Sequence, residues 1–385
     1  MRKILVIHNK YRIRGGEDIA VENEIKLLKK HYNVKELYFS NAIEKPLIQF
    51  FSFLFNKNND SIEILDRNLE SFNPDIAYVH NTWFKASPEI LNILNKKNIK
   101  TIIKLHNFRY DCTRHFSINK HLKGKEECHA CGISKKGRII FNKYFIDSYL
   151  KSLFVLIYGK KYFNILSNSK NIIFVLTRFH KEYLLKINKN FKSVHVFPNY
   201  LNTLETKFRR QDEKKYIVYA GRLSREKGLE DLISGFLNSK LDKFNLKIIG
   251  VGPYEKILKQ KYNSNNIQFL GEQKNEKVLE IISNSTAVVT ATKLYEGQPT
   301  LLCEASMLGV PSVYPKSGGI HEFFPKESKL SYQQFNIQDL TNKLELLLDS
   351  KLLEAEGSLN KEFISKYLSE KSLINKFENI LENEK

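Results

Sequence analysis

Three short segments combine residue types that could act on a phosphorylated ligand. The first, Gly15-Gly16-Glu17-Asp18, follows an apolar run and opens a helical pattern reaching Lys30. Paired glycines let the backbone approach a ligand and a helix N-terminus favours an anion, although a plain turn explains the pair equally well. In the second, Gly221-Arg222-Leu223-Ser224-Arg225-Glu226-Lys227-Gly228, a predicted strand gives way to a helix. There a forked guanidinium at Arg222 and an ammonium at Lys227 could hold a diphosphate and offset charge on a leaving nucleotide; solvated surface charge is the plainer reading. The third runs from Glu296 through Gly297, Thr300 and Leu301 to Glu304. Helical rise over that span would separate the two carboxylates by about 12 Å, so they would meet different parts of one ligand. Glu304 lies among Leu301, Leu302, Ala305 and Met307, where a carboxylate is costly unless ligand hydroxyls or a structural cation partner it. Downstream, Gly318-Gly319 adds another glycine pair beyond a predicted strand.

Two further features could carry chemistry. His106 ends the run Lys104-Leu105-His106, where a satisfied structural imidazole is the plainer reading. Cys112, Cys128 and Cys131 form a Cys-x-x-Cys knuckle with a third cysteine, one ligand short of a structural zinc site that His115, His121 or His129 could complete. Reduced thiols and a disulfide are the alternatives. No Asp-x-Asp pair occurs, so a metal-chelated diphosphate lacks its usual ligands. The dinucleotide and P-loop fingerprints are also absent.

The elements that must position these residues follow from length and periodicity. At 385 residues the chain exceeds the size at which one core keeps growing, which predicts two domains. Short β-branched runs alternate with helix-length segments, the pattern of parallel strands with crossover helices. Strands are expected at 3–9, 35–39, 75–81, 101–107, 171–177 and 193–199, and again at 215–221, 246–250, 267–271, 287–292, 311–314 and 329–332. This predicts two Rossmann-like, doubly wound α/β domains over 1–199 and 215–360, a charged linker over 200–214, and a C-terminal helix over 361–385. The apolar start Ile4-Leu5-Val6-Ile7 is too short for an export signal and reads as the first strand. No run is long enough to span a bilayer, and few cysteines suit a reducing cytoplasm.

Charge narrows the partners. Lys and Arg exceed Asp and Glu by 62 − 42 = 20, which favours an anionic partner: nucleic acid, an anionic membrane surface or a phosphorylated substrate. Residues 120–161 hold ten Lys/Arg against three Asp/Glu and include the apolar stretch 150–158. Such cationic flanks suit an interfacial helix on anionic lipid; a buried helix is the equal alternative. No recognised nucleic-acid module accompanies the charge.

Taken together, Gly221–Gly228, Ile248–Pro253 (which includes Gly252), Glu296–Ala305, Gly309–Pro311 and Ser317–Glu322 resemble the nucleotide-sugar domain of family 4 retaining glycosyltransferases. The first half is similar more loosely, through Gly15-Gly16 and His106. The resemblance implies the GT-B fold, with its two domains facing across a cleft and the C-terminal helix packing back on the N-terminal domain. It also implies transfer of a sugar with retention from a nucleotide-sugar donor, UDP-linked by preference and GDP-mannose as an option, to a saccharide or lipid-linked acceptor. Bacterial capsule, O-antigen or exopolysaccharide synthesis is the expected setting, with the protein peripheral on the inner face of the cell membrane. By the same resemblance Arg222 and Lys227 hold the donor diphosphate and Glu304 the ribose. Glu296 faces the transferred sugar, His106 lies at the reaction centre, and Gly16, Gly221, Gly252, Gly297, Thr300, Leu301, Gly318 and Gly319 line the donor. No cofactor is required for catalysis, the cations standing in for a metal. Where the family carries an aromatic residue after Glu-Gly, this chain has Gln298. A nucleic-acid-binding protein and a non-catalytic sugar-nucleotide binder are the competing readings.

Overall fold

The computed structural model describes residues 1–385 except 12–14, 42–50, 53, 54, 56, 136–140, 146, 169, 203–214 and 385. The chain divides into two compact units, Met1–Leu201 with Glu370–Lys385, and Asn202–Ser369. Most of the expected linker, 203–214, lies outside the described residues.

The first unit is built on a six-stranded parallel sheet. Its strands are β1 (Lys3–Lys10), β2 (Asn33–Ser40), β3 (Ile76–Asn81), β4 (Lys100–Leu105), β5 (Asn171–Val175) and β6 (Ser193–Val196), in the order β2-β1-β3-β4-β5-β6. Ile4, Leu5, Val6 and Ile7 are all 0% exposed. Both faces of β1 are therefore buried, and this is why its sequence reads as a continuous apolar run without alternation. The helices α1 (Gly16–Lys29), α2 (Arg109–Cys112), α3 (Ile118–Leu122) and α4 (Tyr149–Leu166) belong to this unit. In α4, Val155, Leu156, Tyr158, Tyr162 and Leu166 are buried, and the Tyr158 hydroxyl donates to the Thr82 carbonyl at 3.0 Å. The apolar stretch is therefore chiefly a core helix, with Tyr149, Leu150 and Ile157 left exposed. Among the described residues no helix is long and apolar enough to cross a membrane.

The second unit holds β7 (Tyr216–Ala220), β8 (Asn245–Ile249), β9 (Ile267–Gly271), β10 (Ala287–Val289), β11 (Ser312–Pro315) and β12 (Ser331–Tyr332), ordered β12-β11-β10-β7-β8-β9 and again parallel. Its core joins the sheet to α5 (Leu229–Leu237) through Leu232, Ile233 and Phe236. Also in this unit are α6 (Thr300–Met307) and α7 (Ser350–Tyr367).

The single helix expected over 361–385 is instead two. One is α7, whose Tyr367 ring meets Phe323 of the second unit, and the other is α8 (Glu370–Asn383). Leu373, Phe377, Ile380 and Leu381 of α8 join Val6, Tyr78 and Phe174 in the core of the first unit. The break falls between two apolar stripes that serve different cores. At the surface, Glu378 pairs with Arg2 and accepts from Tyr32 at 2.6 Å, while Lys30 binds Glu370 at 2.6 Å.

Candidate active site

In each unit the strand order reverses once, between β7 and β10 in the second and between β1 and β3 in the first. Open α/β sheets bind ligands outside the carboxyl ends of their strands at such a point. The second unit places its motif residues there. Gly228, at φ 69°, begins α5 so close to the end of β10 that a Cβ would lie 1.9 Å from the Ala291 carbonyl oxygen. A Cβ on Gly252 would lie 2.2 Å from the Leu223 carbonyl oxygen. Leu223 donates to Val251, and Tyr254 to Leu223, both at 3.0 Å, so the loops after β7 and β8 form one bonded surface. From it Arg222 projects into solvent, and its guanidinium has no hydrogen bond or ion pair among the described residues.

Lys227 and Glu296, assigned by resemblance to diphosphate and sugar, are paired with each other here. The Lys227 ammonium lies 2.6 Å from Glu296 Oε1, which also accepts from Thr292 Oγ1 at 3.0 Å. Burial alone would lower the Lys227 pKa; the Glu296 carboxylate overrides it, so the ammonium stays charged. Glu296 precedes α6, which starts at Thr300, so the helical-rise separation expected for the two carboxylates does not apply. Gly318, at φ 55°, packs on the Glu296 backbone, where a Cβ would lie 2.5 Å from its carbonyl oxygen, and the Gly319 N–H donates to that oxygen at 2.9 Å. Thr300 and Leu301 occupy the first turn of α6, half-buried. Glu304 follows one turn on, and its carboxylate has no hydrogen bond or ion pair among the described residues. Burial pushes its pKa up to about 7.

The first unit gathers a cluster that the sequence marks only at His106. His80 Nδ1 lies 3.0 Å from His106 Nε2 with the rings stacked, and buried His8 holds Asp18 through Nε2 at 2.8 Å. Burial first, then the nearby Lys104 and His8, holds the His106 pKa well below the ordinary value, so the imidazole is neutral at pH 7. Beneath it the Lys104 ammonium is buried against Glu24 at 2.8 Å. Arg109 reaches the Tyr11 hydroxyl at 3.4 Å, and Tyr11 donates to Glu17 at 2.8 Å. Glu17, His80, Trp83, His106, Arg109 and Tyr162 line one small cavity. Gly16 begins α1, and a Cβ there would touch nothing, so packing does not require glycine. The missed residues come from separate strand ends, and their one local signal is a histidine closing an apolar run in β1 and in β3. Cys112, Cys128 and Cys131 converge with His121 elsewhere in this unit.

Residues 202–384 match the family model described as Glycosyl transferases group 1. Along its whole length the chain is similar to a sucrose-phosphate synthase from Thermosynechococcus elongatus, with TM-score 0.73, 15% identity and coverage of 100% of this chain and 99% of the other. It is equally similar in extent to HepE of Anabaena, solved with UDP and glucose, at TM-score 0.67, 15% identity and 100% coverage of both chains. The chain has the GT-B fold. In sequence, the chain is 30% identical over 132 residues to TuaC of Bacillus subtilis strain 168, named as a candidate teichuronic acid biosynthesis glycosyltransferase. That match takes in 34% of this chain and 32% of TuaC, about a third of the relative's length. Within the GT-B frame, Arg222, Lys227, Glu296, Glu304 and Gly318 fall inside the matched group 1 segment, and the histidine cluster falls outside it.

Proposed function

We propose that this protein is a glycosyltransferase that moves a sugar, with retention, from a nucleotide-sugar donor to a saccharide or lipid-diphosphate-linked acceptor. The observation that carries the reading is the carboxyl edge of the second unit's sheet, where the loops after β7 and β10 and the first turns of α6 carry an exposed, unpaired guanidinium, a charged ammonium paired with Glu296, close-packed glycines and the carboxylate of Glu304. Arg222 and Lys227 neutralise the departing nucleoside diphosphate without a metal, and Glu304 accepts from the two ribose hydroxyls. Glu296, already bonded to Lys227, joins the cation at the diphosphate to the sugar beside it. Neutral His106 is suited to donate a hydrogen bond to the sugar and not to hold a charge there. A UDP-linked donor is favoured, in line with the UDP in the HepE structure, and bacterial surface polysaccharide synthesis in line with the TuaC name. Exposed Tyr149, Leu150 and Ile157, flanked by Lys151 and Lys160, suit contact with the anionic inner face of the cell membrane.

A thermal-shift screen against UDP, GDP, ADP, CMP and dTDP tests this reading. A nucleotide at 100 times its dissociation constant stabilises the native state by about 2.7 kcal/mol. UDP should raise the melting temperature selectively and without added divalent metal. Because two hydroxyl donors favour the ionised Glu304, UDP affinity should rise as pH increases through about 7. No response to any nucleotide would remove the donor-site assignment.

A further inference from the structure

Cys112, Cys128, Cys131 and His121 arrive at one place from three elements. Cys112 closes α2, His121 lies on α3, and the two remaining cysteines sit on a short hairpin bridged between Glu127 and Ser134. Ligand atoms of Cys112, His121 and Cys131 all lie within 4.8 Å of one another, and Cys128 interacts with both Cys131 and His121. None of the cysteines is in a disulfide, and Cys112 and Cys128 are buried. A tetrahedral zinc ion with its sulfur ligands at about 2.3 Å needs ligand atoms about 3.8 Å apart, so small side-chain adjustments would close the set.

The backbone is shaped to the same end. In the run Cys128-His129-Ala130-Cys131-Gly132, Gly132 takes φ 72°, its N–H donates to the Cys128 carbonyl at 2.9 Å, and Cys128 N–H donates to the Ile133 carbonyl at 3.0 Å. The buried His121 Nε2 has no hydrogen-bond partner.

We propose that these three thiolates and His121 bind one zinc ion, which ties the 127–134 hairpin and α3 to the helix carrying Arg109. On binding, three thiol protons leave to solvent and the four ligands close a tetrahedral shell, the composition of structural zinc sites. Asp111, His115 and His121 form a rival cluster. There the Asp111 carboxylate is already engaged by Tyr183 at 2.6 Å, Arg114 at 2.9 Å and His115 at 3.0 Å, and soft thiolates outcompete such a site for zinc. His115 and His129 are left out of the shell. The role of the metal is positional. Cys112 ends the turn from which Arg109 stacks over Tyr11 and Trp83, so the ion holds that arginine beside the histidine cluster.

The test uses the full chain purified without chelator and does not depend on the glycosyltransferase reading. Elemental analysis should find about one zinc per chain, and cobalt exchange should give the visible bands of a tetrahedral ion with thiolate charge transfer. His121→Asn should weaken zinc retention against a chelator by at least about tenfold, whereas His115→Asn and His129→Asn should leave it unchanged. Should His121→Asn fail to fold, the cobalt spectrum of the native chain still decides. Zinc below about a tenth per chain after zinc-supplemented expression, with three cysteine thiols reacting at once with a disulfide reagent, would overturn the proposal. A Cys128–Cys131 disulfide in the mass spectrum would overturn it too.

Discussion

Glu304 and Lys227 show two ways in which this fold holds a charged side chain away from water. Burial raises the Glu304 pKa from 4.5 to about 7, so the folded chain keeps a proton that the unfolded chain has released. The stabilisation is fully present below the ordinary carboxylate pKa and is lost as pH rises through about 7. Glu304→Gln should therefore raise the stability of the free protein at about pH 8 by about 1–2 kcal/mol in chemical denaturation, and abolish the UDP-induced thermal shift. A variant less stable than wild type at that pH would refute the account of Glu304 as an unpartnered carboxylate. Arg222 and Lys227 should separate in a second experiment. Arg222→Ala removes an exposed, unpaired side chain and should change stability by less than about 0.5 kcal/mol while raising the KM for the donor. Lys227→Ala strips Glu296 of its cation and should cost about 1–3 kcal/mol as well as activity. Equal stability losses in the two variants would show that the Lys227–Glu296 pair contributes nothing to the fold.

At the scale of elements, the glycines after β7, β8 and β11 determine how closely the loops at the carboxyl edge can meet. Gly228→Ala combines a left-handed backbone with a Cβ 1.9 Å from a carbonyl oxygen, and neither can be relieved by side-chain rotation. It should destabilise the second unit by more than about 2 kcal/mol, read as faster hydrogen exchange across β7 and α5. Full protection in the variant would mean that α5 can shift off β10 freely. The same elements explain what was legible in sequence. Buried parallel strands are continuous apolar runs, so Ile4–Ile7 and Tyr216–Ala220 are evident, and the glycine-bearing loops at the carboxyl edge of the second sheet are contiguous motifs. The histidine cluster is not contiguous, because His8, His80 and His106 meet only through the strand order β1-β3-β4. The Lys104–Glu24 pair spans 80 residues and leaves no trace in local spacing. The break before Glu370 is hidden because apolar residues recur at helical spacing on both sides of it.

The whole chain passes from the first unit to the second and back, since α8 returns to cover the sheet of the first. Phe377, 0% exposed, packs on Tyr32, Tyr78, Phe174 and Phe197. Phe377→Ala should cost about 3–5 kcal/mol. Hydrogen exchange on the full chain should localise that loss to β1, β3 and β5 and spare β7–β12; uniform loss would show that the two units unfold as one. The return of α8 also sets an order of assembly on the ribosome. The second unit, complete by Ser369, can fold while the first still lacks the helix that seals Val6, Tyr78 and Phe174. The half of the protein translated first is thus the last to be finished, and until residues 370–383 emerge it presents an open apolar sheet to chaperones and to other nascent chains.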